Sequence, residues 1–208
     1  MTRGVWGILR DGPGARFVFE TAGRPPTLSP EVLDALADAI DREAAAGARA
    51  AVVESASPGI FAAGADLRVI RELSPTEGYL YARTGQDALS RIARAACSTI
   101  VEIDGACYGG ALDLAAACDV RFASSRAAFC HPGPRLGIVT GWGGTAAIPR
   151  RIGTGRARRV FRSGEVFGAF AALALGLVDE VTAPADLSRR VSGAASRIAQ
   201  APWYQRFR

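Results

Sequence analysis

The sequence has no lysine: all 25 of its basic residues are arginine. Histidine occurs once, at His131. A Schiff-base lysine and a P-loop lysine are therefore excluded, and so is a His-rich metal cluster. Cysteine is sparse as well. Cys97, Cys107, Cys118 and Cys130 form no CxxC pair and no zinc-ligand spacing. No run approaches the ~20 apolar residues of a membrane span. The opening MTRGVWGILRDG lacks an apolar signal core. These absences predict a reduced, cytoplasmic protein without a membrane partner.

What is present is enough for a globular domain. In 208 residues, 49% are apolar and 22% charged, so the chain is not disordered as a whole. Chains of this size bury about 70% of their unfolded surface or more, mostly in one domain. A formal charge of +5 suggests attraction to anions. The densest basic stretch is Arg150, Arg151, Arg156, Arg158, Arg159 and Arg162. Because 20 acidic residues are mixed among the arginines, a solvated helix face or a phosphorylated ligand fits better than nucleic acid.

Read along the chain, Val5 to Leu9 and Arg16 to Phe19 flank Asp11-Gly12-Pro13-Gly14 as a hairpin. Gly23-Arg24-Pro25-Pro26 opens a loop. Ser29 and Pro30 start a helix whose apolar positions are Val32, Leu33, Leu36, Ala37 and Ile40, and Gly47 ends it. Ala50 to Val53 reads as a buried strand and Ser55 to Ala65 as a loop, with a helix starting at Asp66. Ser74-Pro75-Thr76-Glu77 has the capping-box pattern and opens a helix toward Ala96. Thr99 to Ile103 is a strand, Gly105 to Gly110 a loop, Ala111 to Ala117 a buried helix and Val120 to Ala123 a strand. Leu177 to Val181 reads as a strand and Pro184 to Ala199 as an amphipathic helix. Strands separated by helices imply crossovers and an α/β fold.

Two segments place a small-residue loop between a strand and a helix start: FAAGADL at 61–67 and DGACYGGALD at 104–113. Small residues let backbone approach a ligand, and helix N-termini leave N–H groups unpaired. Two such groups aimed at one point make an oxyanion hole, although tight helix–sheet packing asks for glycine too. Neither segment fits GxGxxG or GxxxxGK[ST]. With VEIDGACYGGALDLAAACDVRFAS at 101–124, RLGIVTGWGGTAAIPRRIG at 135–153 and AALALGLVDEV at 171–181, the chain resembles the crotonase (enoyl-CoA hydratase/isomerase) superfamily.

That resemblance implies a crotonase-like (ClpP/crotonase) spiral of ββα units. The core would cover residues 1–183, and a helix with a short tail residues 184–208, with no second domain and a helical region shorter than the family's. It implies a coenzyme A thioester as substrate, no tightly bound cofactor or metal, and a homo-oligomer, either a trimer or a dimer of trimers. Trp203, Tyr204 and Phe207 are candidates for docking on a neighbour. By motif match the oxyanion donors are the N–H groups of Ala65 and Gly110, and Ala63, Gly64, Asp66, Leu67 and Gly109 surround them. Arg68 falls where relatives carry a basic residue near the coenzyme A phosphates, and Asp66 also reads as an N-cap. Tyr108 and Trp142 are candidates for the acyl pocket. The family's two hydratase glutamates fall on Asp113 and on Gly133, the second having no side chain, so two-glutamate hydration is not expected. Asp113 and His131 remain as candidates to move a proton, the imidazole because its ordinary pKa of ~6.5 suits a base at neutral pH. Two other readings stand beside thioester hydration or isomerisation. One is a hydrolase of C–C bonds in β-diketones, or a secondary-metabolism enzyme acting on carrier-bound substrates, using His and Asp. The other is a catalytically degenerate paralogue that binds coenzyme A or a partner.

Overall fold

The computed structural model describes residues 5–11, 14–21 and 26–201. Two sheets run through it. The first holds β1 (Val5–Asp11), β2 (Gly14–Glu20), β3 (Ala50–Ser55), β5 (Ser98–Ile103), β7 (Val120–Ser124) and β10 (Glu180–Thr182), in that spatial order. The second holds β4 (Ile60–Ala62), β6 (Ala106–Tyr108), β8 (Ala128–Cys130) and β9 (Phe167–Gly168). Pairing is antiparallel for β1 with β2 and for β8 with β9, and parallel elsewhere.

Helices complete each turn of the spiral. After α1 (Pro30–Ala45), β3 and β4 lead into α2 (Leu67–Glu72) and α3 (Pro75–Ile92). β5 and β6 lead into α4 (Gly110–Ala117). β7 and β8 lead into α5 (Gly133–Leu136), α6 (Gly144–Ile152) and α7 (Thr154–Ser163). β9, α8 (Ala169–Leu175), β10 and α9 (Leu187–Gln200) follow. From β3 to β8, each unit puts one strand in each sheet before its helix, which is the ββα spiral expected.

Alternation along the first sheet separates two apolar layers. Val53, Val101 and Ala123 face the main core with Phe17, Leu36, Leu112 and Phe129. Their neighbours Val52, Ile100 and Phe122 face the other way, where α9 covers them with Leu187, Val191 and Ala194. The caps follow the sequence: Ser29 accepts from the Val32 N–H, and Ser74 and Glu77 form a reciprocal capping box.

Several expected boundaries differ. The segments read as loops at 55–65 and 105–110 contain β4 and β6, three-residue strands whose partners lie far away in sequence. α3 ends at Ile92, because the next turn tightens, with the Arg94 N–H bonding the Arg91 carbonyl at 3.0 Å. Leu177 and Val178 are buried in the turn after α8, the Leu177 N–H reaching back to Ala172 at 2.9 Å, so β10 begins only at Glu180. A 3-10 turn at Pro184–Asp186 precedes α9. Residues 12, 13, 23–25, Trp203, Tyr204 and Phe207, named above, lie outside the described residues. Among the described residues, no helix is long and apolar enough to cross a membrane. All four cysteines are buried.

Candidate active site

The two small-residue loops meet. Gly64 has φ +81° and Gly109 φ +55°, conformations that L side chains rarely adopt. A Cβ on Gly64 would lie 2.6 Å from the Tyr108 carbonyl oxygen and 2.9 Å from the Gly110 amide nitrogen, so only glycine permits this approach. The Gly64 carbonyl accepts from the Leu28 N–H at 2.8 Å, and the Gly109 N–H donates to the Cys130 carbonyl at 2.9 Å. These two bonds tie the loops down. Among the described residues, no hydrogen bond uses the N–H of Ala65 or of Gly110. Gly110 opens α4, where the helix dipole favours negative charge.

Both residues line a cavity of about 750 Å³, the size of a typical small-molecule site. Its wall includes Ala63, Asp66, Leu67, Arg68, Gly109, His131, Gly133 and Trp142 of the expected site. Gly64, Tyr108 and Asp113 are not on the wall. Tyr108 sits in β6, where its carbonyl backs Gly64, so the structure does not place it in the acyl pocket expected for it. Asp66 caps α2, accepting from the Arg68 N–H at 2.9 Å, and the Arg68 guanidinium donates to both Asp66 oxygens. Those bonds hold the Asp66 carboxyl below its ordinary range and leave Arg68 exposed at the rim.

Asp113 lies behind the wall, 1% exposed on α4. Thr140, which does line the cavity, donates its hydroxyl to Asp113 Oδ2. Asp113 Oδ1 faces His131 Nε2 at 3.5 Å, and neither atom has a hydrogen-bond partner among the described residues. Phe161 packs edge-on against the imidazole with centroids 5.1 Å apart. Room for the carboxylate comes from Gly144, where a Cβ would fall 1.8 Å from Oδ1. At Gly133 a Cβ would meet the Ile138 carbonyl at 2.4 Å. That position is closed by backbone and has no space for an acid. The nearby Cys107 thiol, pushed up by burial, is inert.

The apolar end is formed by Trp142, Tyr81, Ile70, Leu73 and Ala82. Trp142 is wedged between α3 and α4: a Cβ on Gly85 would strike its ring at 2.2 Å and one on Gly110 at 2.3 Å. Tyr81 stacks at a tilt beside it, centroids 5.6 Å apart, and burial raises the phenol's pKa. Sequence reasoning missed Tyr81 and Thr140. The capping box placed Tyr81 on a helix, and its helical spacing from Gly78 and Gly85 was the available signal. Thr140 had none, being one residue of a glycine-rich loop.

Known proteins carry the same arrangement of chain. The model of the family described as enoyl-CoA hydratase/isomerase matches residues 23–206. A crotonyl-CoA hydratase of Syntrophomonas wolfei is 36% identical over 138 residues, which is 66% of this chain and 53% of that protein. A short-chain-enoyl-CoA hydratase of Clostridium acetobutylicum is 32% identical over 149 residues, 72% of this chain and 57% of that protein. The chain thus spans little more than half the length of these two relatives. The crystal structure of an enoyl-CoA hydratase from Thermoplasma volcanium superposes with a TM-score of 0.88 at 29% identity, covering 95% of this chain and 78% of that one. With the ββα spiral, the paired glycine loops and a family match over most of its length, the chain belongs to the enoyl-CoA hydratase/isomerase family.

Proposed function

We propose that this chain is an enzyme acting on acyl thioesters of coenzyme A, moving a proton beside the thioester carbonyl in hydration or isomerisation of an enoyl group. One observation carries the reading: the unpartnered N–H groups of Ala65 and Gly110 and the single imidazole border the same apolar cavity. A thioester oxygen held by Ala65 and Gly110 accepts charge as an enolate, and one donor of that kind is worth ~100-fold or more in rate. In hydration, water adds its oxygen to Cβ, its proton passes to His131, and the electron pair moves onto the thioester oxygen. His131 then returns the proton to Cα as the carbonyl re-forms. Isomerisation uses the same enolate, with the proton taken from one carbon and returned to another. Asp113, sealed from the cavity, orients His131 instead of meeting substrate.

Loss of crotonyl-CoA absorbance measures the reaction directly. Wild type is expected to turn over, with His131→Gln reduced by ~100-fold or more. No turnover and no binding of any acyl-CoA would overturn the reading. The lack of space for a second carboxylate at Gly133 favours one rival, hydrolysis of a C–C bond in a β-diketone by the His131–Asp113 pair. Turnover of a β-diketone with none of crotonyl-CoA would favour that rival. Exposed Val166, Phe170 and Leu173 support self-association, which light scattering tests.

A further inference from the structure

Asp113 is buried behind two cavity-facing residues, and each of them takes one of its oxygens. Thr140 donates to Oδ2, while Oδ1 faces His131 Nε2 at 3.5 Å. That gap is longer than a hydrogen bond, yet both atoms are sealed from solvent with no other partner among the described residues. A buried carboxylate oxygen and a buried ring nitrogen left in this way are costly unless they serve each other. Catalytic hydrogen bonds are also often long before substrate arrives. On the far side of the ring, Nδ1 lies toward Gly133 and is not among the sealed atoms.

We propose that Thr140 is a positioning residue: its hydroxyl fixes the Asp113 carboxylate so that Oδ1 holds His131 as the Nε2–H tautomer, presenting Nδ1 to the cavity as the base. A carboxylate without the Thr140 bond is free to rotate about χ2, and the imidazole then loses the contact that selects its tautomer. Gly144 makes the same point from the other side. It gives the carboxylate its space, and among the described residues Thr140 is the one hydroxyl that donates to it. The role rests on the reading that His131 moves the proton, but the tautomer itself can be observed without turnover.

His131 is the only imidazole in the chain, so long-range 1H–15N correlation spectra of labelled protein report its two ring nitrogens without assignment ambiguity. At pH 8, wild type and Thr140→Ser are expected to show one tautomer, protonated at Nε2. Thr140→Val is expected to show a mixture. Crotonyl-CoA kinetics should follow: kcat falls about 10-fold or more in Thr140→Val with KM little changed, and Thr140→Ser recovers most of the loss. A wild-type tautomer protonated at Nδ1, or an unaltered tautomer in Thr140→Val, overturns the proposal. If Thr140→Val does not fold, Thr140→Ala against Thr140→Ser decides on the same signals. Wild-type protein that fails to turn over thioesters counts against the proposed reaction, and the ring-nitrogen signals still decide the role of Thr140.

Discussion

Gly64 and Gly110 show how much of this site is made by atoms the side chains lack. A methyl group on Gly64 would need a strained backbone at φ +81° and would push against the Tyr108 carbonyl and the Gly110 amide at once. Gly64→Ala is therefore expected to fold while moving one loop off the other, and a displacement of 1 Å can cost ~100-fold in rate. Circular dichroism and crotonyl-CoA turnover on the same preparation check this, and equal turnover in the two proteins would contradict it. Gly110 is bound to Trp142 instead, since its Cβ would land 2.3 Å from the indole. Overpacking of that kind typically costs about 1–3 kcal/mol, so Gly110→Ala should lower the denaturation midpoint as well as turnover. The closed backbone at Gly133 belongs to the same lesson. From sequence it reads as an acid lost, and in three dimensions it is a tight turn onto the Ile138 carbonyl.

At the scale of elements, α9 is held on the sheet by more than its apolar stripe. Arg16 on β2 donates to Glu54 on β3, to Glu102 on β5 and to Ser188 and Ser192 on α9. One guanidinium between two carboxylates leaves a net negative charge in a half-buried place. Burial, with Glu54 beside it, pushes Glu102 up to about 7 against the pull of Arg16. An unfolded Glu titrates near 4.3, so the folded chain binds the extra proton between the two values. Stability from this group is full below about pH 4.3 and is lost as pH rises through about 7. Urea midpoints measured from pH 5 to pH 8 should fall in wild type and fall less in Glu102→Gln. Gly193, inside α9, has only the flexible end of Arg197 near its missing Cβ, at 3.5 Å. Gly193→Ala should accordingly stabilise by up to about 1 kcal/mol. Elements of this kind were legible where the signal is local: the Ser29 cap, the Ser74 capping box and the apolar run of β5 all stand where sequence puts them. The second sheet was not, because its strands are two or three residues long and are defined by partners tens of residues away.

Across the whole molecule, the cavity gathers its wall from the first loop, from α2 and α3, from the start of α4 and from the long segment 131–142. Scarcity singled out His131, and family motifs Ala65 and Gly110; all three line this cavity. Thr140 and Tyr81 came to line it only when the spiral brought separate turns together. A ligand that fills such a cavity must tie those turns to one another, so binding should appear as global stability. At 100 times its Kd a ligand adds about 2.7 kcal/mol, roughly 5–10 °C in Tm for a chain of this size. Trp142 and Tyr81 close the apolar end, and Trp142 fills the space between Gly85 and Gly110. The wild-type chain is therefore expected to gain more from butyryl-CoA than from octanoyl-CoA in thermal denaturation. Trp142→Leu, which shortens that wall, should lower the unliganded Tm and reverse the preference toward the longer acyl chain. Equal shifts for both ligands in both proteins would place the acyl group elsewhere. A shift from free coenzyme A as large as from its thioesters would show that the acyl end contributes nothing to binding.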